Sequence, residues 1–319
     1  MNLLVRAAAA LGASVVALTV SASPATAIID GHEATQRYDG MVHLTVDYPD
    51  DPTVNCGAGL YDAWHVVVDA HCVSDNQVIP DPVAVDPSRI MVRAGTNDRT
   101  SGGETARGTR VQLHPDWTWG TSGPGKPVAD IALVTVDHPI NQPLMKLPPA
   151  AGSEPGTSLR AIGWGLTEFP PPADEPDRLP AMLRQRDIVQ LPAASCATAD
   201  PTIGEGDICI SVGTCLGDAG GPVLTPARHR AAGTGRWWVW QALVSRATND
   251  DDPCGAPVVA TSLPYYRTWL ATAASCPLDR ITSTATGRAP QRPLRSNQAH
   301  GQRRVTKDEL PFLGQLTGG

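Results

Sequence analysis

The amino-acid sequence predicts an all-β fold, an antiparallel sandwich or barrel, and three observations carry that reading. From Ile28 to about Leu270, apolar runs of four to eight residues rich in Val, Trp and Thr alternate with Gly, Pro, Asp and Asn, the pattern of short strands joined by turns. Gly and Pro number 30 each among 319 residues, enough for many loops yet below the roughly 25–30 % that marks low-complexity chains. Helical periodicity is scarce. The length suits one large or two small domains, and no internal repeat is visible.

The elements follow in chain order. Residues 1–27 read as an export signal: Arg6 gives the positive start, Ala7 to Val20 is an apolar run too short to span a bilayer, and Ala25-Thr26-Ala27 is a small-x-small cleavage site. No later run is long and apolar enough to anchor the chain, so a secreted, extracellular protein with no membrane span is expected. An exported chain meets oxidising conditions, which makes its seven cysteines disulfide candidates. No Cys-x-x-Cys or His-x-x-x-His spacing argues for a metal, and no cofactor is expected.

Candidate strands are Met41–Val46, Trp64–Val68, Ile131–Val136, Leu159–Gly163 and Trp237–Val244. The Pro-rich stretches Ile79–Pro87 and Phe169–Pro176 read as surface loops. One helix is predicted over Pro264–Ala274, because Pro suits a first helical turn and Tyr265, Trp269 and Ala273 recur every fourth residue. Residues 277–319 carry seven basic side chains (Arg280, Arg288, Arg292, Arg295, Arg303, Arg304, Lys307) and three acidic ones with little apolar content, the composition of a disordered basic tail. The whole chain has a net charge of -7, which offers no global field to hold nucleic acid.

Five separated segments bear chemistry: Ile28-Ile29-Asp30-Gly31; Cys56-Gly57-Ala58-Gly59-Leu60 with Asp69-Ala70-His71-Cys72; Asp130-Ile131-Ala132-Leu133; Gly163-Trp164-Gly165; and Cys215-Leu216-Gly217-Asp218-Ala219-Gly220-Gly221-Pro222. In this order and spacing they resemble the trypsin/chymotrypsin family of serine proteases, in its secreted bacterial form, over about residues 28–276. The resemblance implies two antiparallel six-stranded Greek-key β-barrels, about 28–145 and 146–276, with a C-terminal helix and the site in the cleft between them. His71 matches the general base and Asp130 the carboxylate that orients it, with the Gly217 and residue-219 amides as oxyanion donors. Asp218 matches the buried partner of a mature N-terminal ammonium, here on Ile28. Ser245 matches the serine that supports the triad carboxylate. The resemblance also implies disulfides Cys56–Cys72, Cys196–Cys209 and Cys215–Cys254; Cys276 is left over, a free thiol or an intermolecular link. His43, His65 and His114 lie outside the frame and are read as surface or packed histidines.

The pattern fails at the nucleophile. Ala219 stands where the family carries serine, and a methyl group cannot attack a carbonyl. Arg246 and Ala247 replace a Trp and a Gly that bind substrate backbone, Val258 occupies a pocket-wall position usually held by Gly, Gly213 stands at the pocket floor in place of an acid, and Asp69 puts a charge two residues before His71. The sequence therefore points to a secreted, catalytically silent homologue, monomeric, binding a protein or peptide in the remnant cleft. The alternative is an active secreted serine endopeptidase whose parent sequence has Ser at 219. An adhesive exoprotein using the basic tail has only that tail's composition behind it. Because the tail lacks the apolar periodicity to dock, deleting residues 281–319 is expected to leave the melting temperature unchanged within error in a thermal unfolding measurement.

Overall fold

In β-rich chains a strand that is apolar on both faces must bury both, and several strands here do so between two barrels. The computed structural model describes residues 28–48, 51–75, 82–118, 127–148, 151–172, 179–227 and 237–275; the export signal, Cys276 and the basic tail lie outside them. The strands are β1 His32–Glu33, β2 Met41–Tyr48, β3 Asp51–Asp62, β4 His65–Val68, β5 Ser74–Asp75, β6 Val83–Ala84, β7 Ile90–Ala94, β8 Glu104–Leu113 and β9 Ala132–Val136. They continue with β10 Ser158–Gly163, β11 Arg184–Leu191, β12 Asp207–Ile210, β13 Pro222–Pro226, β14 Trp238–Ala247 and β15 Val258–Ser262. Helix α1 is Ala194–Ala197 and α2 is Leu263–Ala274.

Strands β2, β3, β4, β9, β8 and β7 close the first barrel. Strands β11, β10, β13, β14, β15 and β12 form the second, closed by the pairing of β11 with β12. All pairings are antiparallel. Strand β1 precedes the first barrel in sequence but pairs with β11 of the second, His32 opposite Gln185. The stretch from Ile28 to Glu33 is thus a strap across the second barrel, with Arg184 donating to the Gly31 carbonyl at 3.1 Å. Among the described residues no helix is long and apolar enough to cross a membrane.

Period-2 alternation explains how one strand feeds two cores. On β4, Val66 and Val68 fill the first barrel while Val67 faces the other way, into a core between the barrels. On β9, Ala132, Val134 and Val136 point inward and Leu133 outward into the same inter-barrel core. From the second barrel, Ile162, Trp240 and Leu243 meet them, whereas Ala242 and Val244 fill the second barrel with Leu159, Val223 and Ala260. Helix α2 has Pro264 in its first turn and buries Leu263, Tyr266 and Leu270 in the inter-barrel core, so it braces both barrels.

The barrels also touch through bare backbone. Gly57 on β3 donates its amide to the Ala219 carbonyl at 2.7 Å, and a Cβ on Gly57 would fall 2.6 Å from the Gly221 α-carbon. Gly57→Ala must push this seam apart. It is expected to cost about 1–3 kcal/mol, as overpacking does, and so to lower the melting temperature by several degrees. Gly152→Ala, whose Cβ meets nothing nearer than Pro264 Cγ at 3.5 Å, serves as the near-neutral control in the same thermal scan.

Candidate active site

His71 sits in a 3₁₀ turn, Ala70–Val73, that follows β4. The turn is stapled to β3 by the Cys56–Cys72 disulfide, Cα–Cα 6.5 Å. Asp130 lies just before β9, after Ala129, whose φ of 53° is in the left-handed region. The Asp130 carboxylate is fully buried and spends both oxygens. Its Oδ1 accepts from the His71 amide at 2.9 Å, and its Oδ2 meets His71 Nδ1 at 2.8 Å and accepts from Ser245 Oγ at 2.7 Å. Burial alone would raise the Asp130 pKa, but the His71 charge and the bonds from His71 and Ser245 outweigh it and hold the group below its ordinary value. The structure thus brings together three residues that lie 59 and 115 positions apart.

The loop from Cys215 to Gly221 supplies the opposite wall. Gly217 has φ +89° and a Cβ there would sit 2.9 Å from Leu179 Cδ2, so only glycine turns its amide this way without strain. Asp218 is buried beneath the loop; its two oxygens accept from the Gly165 amide at 2.8 Å and the Cys215 amide at 2.9 Å. Burial pushes its pKa up to about 7 against those two bonds. Ile28 is also buried, within the core of the second barrel. No ion pair among the described residues joins it to Asp218, since in the full-length chain the Ile28 nitrogen is an amide and carries no charge.

Between these walls lies a cavity of about 30 Å³, room for a water or two. His71, Gly217, Ala219, Ser245, Ala247 and Val258 all line it. Gly213, expected at the floor, is not part of that lining: at φ +151° a Cβ would face the Arg186 and Ile188 side chains, 3.0 and 3.1 Å away. The walls are tied by the Cys215–Cys254 and Cys196–Cys209 disulfides.

Sequence reasoning missed the company that Arg246 keeps. Arg246 also lines the cavity, and its guanidinium is held by two acids, Nε donating to Asp200 Oδ2 at 2.8 Å and Nη2 to Asp207 Oδ2 at 2.9 Å, with the side chain only 9 % exposed. Burial would lower the Arg246 pKa, but the charges of Asp207 and Asp200 more than offset this and keep it charged. The partners lie 46 and 39 residues away in sequence; the one local signal is an acid, Asp207, two residues before a disulfide cysteine.

His43, His65 and His114 make other contacts. His43 stacks edge-on against Trp164 with centroids 5.3 Å apart, and burial lowers its pKa to about 3. His65 pairs with Asp62 at 2.8 Å, and His114 packs on Tyr266 and Trp269. Asp69, His71 and Asp130 offer ligand atoms within 4.8 Å of one another. With both Asp130 oxygens already engaged, the group is a hydrogen-bonded relay and not an open cation cage.

The sequence matches the Trypsin family over residues 28–270. A trypsin-like protease of Streptomyces glaucescens is 28 % identical over 290 residues, covering 85 % of this chain and 94 % of its own. Isozyme C of a fibrinolytic enzyme from Lumbricus rubellus is 28 % identical over 204 residues, 59 % of this chain and 78 % of its own. Among solved structures, the scabies mite inactivated protease paralogue S-D1 superposes with a TM-score of 0.58 at 21 % identity, covering 78 % of this chain and 97 % of its own. With two closed barrels, a buried Asp-His pair in the cleft between them and a family match across most of its length, the chain belongs to the trypsin family.

Proposed function

We propose that the chain is a secreted, catalytically silent homologue of trypsin-like serine proteases that binds a protein or peptide through its remnant cleft, as a monomer. One observation carries this reading: a methyl group, Ala219, lines the cavity beside His71 where the reaction needs a nucleophile. Loss of a triad nucleophile costs roughly 10⁶-fold in turnover. Two further features support it. Val258 and Ala247 line the cavity in place of the residues the resemblance implies, and Arg246 is drawn onto Asp200 and Asp207 at the position where the resemblance implies an aromatic platform. Glucanase inhibitor protein 2 of Phytophthora sojae, 29 % identical over 175 residues, is a similar protein whose name is that of an inhibitor.

An active serine endopeptidase with Ser at 219 in the parent sequence is the second reading, and the formed His71–Asp130–Ser245 relay favours it. In that enzyme His71 is the base, Asp130 orients it, and the Gly217 and residue-219 amides hold the oxyanion. Ala219→Ser decides between the two. The variant is expected to react with a fluorophosphonate probe but to cleave peptides feebly, since positioning of the scissile bond is worth roughly 7–11 kcal/mol and Arg246, Ala247 and Val258 depart from the residues that the resemblance implies for it. A kcat/KM in the ordinary range of about 10⁴–10⁸ M⁻¹s⁻¹ would establish the endopeptidase.

Signal removal after Ala27 would free an ammonium on Ile28 to pair with Asp218. The uncut chain holds Asp218 with a raised pKa, near 7 against 3.8. The folded state therefore keeps a proton that the unfolded chain releases, and stability falls as pH rises from about 4 to about 7, by roughly 4 kcal/mol. In the chain that starts at Ile28 the ammonium favours the carboxylate and pulls the folded pKa back toward or below the unfolded value, so this loss of stability over about pH 4 to 7 disappears. Urea unfolding at pH 4, 5.5 and 7 is expected to show this fall in the uncut chain and not in the chain that starts at Ile28, and Asp218→Asn to remove it from the uncut one.

A further inference from the structure

Asp69 is a fully buried acid for which the family pattern has no use. It stands at the end of β4, immediately before the turn that carries His71. An acid in that position ordinarily caps the free amides of the turn, yet its side chain makes no such bond. The His71 amide is already held by Asp130. Instead the Asp69 side chain crosses to the second barrel, where Oδ2 accepts from the Gly220 amide at 2.8 Å, a contact between residues 151 positions apart. The same amide also reaches the Val244 carbonyl at 2.8 Å. Oδ1 is buried and has no hydrogen-bond partner among the described residues.

We propose that Asp69 is a positioning residue that locks the turn carrying His71 to the loop carrying residue 219 and the Gly217 amide. The lock joins the two halves of the site directly. His71 comes from the first barrel and residue 219 from the second, and a misplacement of about 1 Å between such groups costs on the order of 100-fold in rate. Asp69 does this as an un-ionised carboxyl. A carboxylate there would sit in a dry interior beside the Asp130 charge, with one amide bond to relieve it. Burial and Asp130, with a smaller push from Asp207, hold its pKa well above the ordinary value, and neither the Gly220 bond nor Arg246 compensates. Asp130 is then the charged carboxylate that bonds His71 Nδ1, and Asp69 adds no second charge beside it. The inference holds whether the chain is silent or active, because it concerns geometry that either reading shares.

The test uses the full chain, with readouts that need no activity. Asp69→Asn keeps the accepting oxygen and carries no charge; it is expected to leave the His71 titration midpoint, followed by imidazole NMR, within about 0.3 unit and Gly220 amide exchange within about 3-fold. Asp69→Ala removes the acceptor and is expected to speed Gly220 exchange by about 10-fold or more, while core amides such as Leu133 change far less. Should Asp69→Ala fail to fold, Asp69→Ser, whose hydroxyl is too short to reach Gly220, gives the same comparison. A fall of about one unit or more in the His71 midpoint of Asp69→Asn would mean that Asp69 is ionised and would overturn the assignment. Unchanged Gly220 exchange in the Ala or Ser variant would overturn the lock. In the Ala219→Ser background, fluorophosphonate labelling should survive Asp69→Asn and slow by about 10-fold in Asp69→Ala; equal labelling in the two counts against the proposal.

Discussion

A strand of the first barrel and a glycine turn of the second, pressed together backbone to backbone, are the contact on which the rest of the site depends. At Gly57 and Gly220–Gly221 the first barrel and the nucleophile loop of the second approach so closely that a Cβ on Gly220 would lie 2.0 Å from the Gly57 carbonyl oxygen. The Gly57 amide bonds the carbonyl of residue 219 itself. Residue 219 is therefore held from the opposite barrel. Around this seam the inter-barrel core sets the angle between barrels, and the cleft is the space left at their edge.

Charges are placed around that seam by burial as much as by pairing. Asp130, Asp218, Asp69 and Asp207 are all buried acids within or beside the site, and each meets the cost of desolvation differently. Asp130 has His71 and Ser245. Asp207 has Arg246. Asp218 has two amides in the uncut chain, enough to hold it in place but not to return its pKa to the ordinary range. Asp69 has one amide. Asp130 alone is held below its ordinary value, while burial raises the other three, Asp207 even beside the Arg246 charge.

Much of the site was legible in sequence because its chemistry demands particular residue types at particular places. A histidine beside a cysteine, an aspartate before an apolar strand and a glycine-rich turn are each common alone, but His71, Asp130 and the glycines around residue 219 occur in register. The structure gathers His71, Asp130 and Ser245 by direct hydrogen bonds. The predicted helix at Pro264 differs from α2 by one residue at its start. The strands that escaped notice include short apolar ones, β7, β13 and β15, and longer ones whose pattern is half polar. Strand β8, Glu104–Leu113, carries Glu104, Arg107 and Arg110, and strand β11, Arg184–Leu191, carries Arg184, Arg186 and Asp187, so neither shows an apolar face in its sequence. Strand β3 is interrupted by Gly57 and Gly59, which the inter-barrel seam requires. Arg246 reads in sequence as a lost platform because nothing near it announces Asp200 and Asp207. The extra charge read at Asp69 is better understood as a carboxyl committed to Gly220. Long-range polar contacts of this kind leave no local period.

The sharing of single strands between cores has a consequence for what survives when chemistry is lost. Val67, Leu133, Leu243 and Trp240 belong to the inter-barrel core while their neighbours belong to one barrel or the other, so neither barrel can loosen without taking the seam with it. The hydroxyl missing from residue 219 contributes to none of these cores. The cleft is thus shaped by packing forces indifferent to whether any bond is ever cut there.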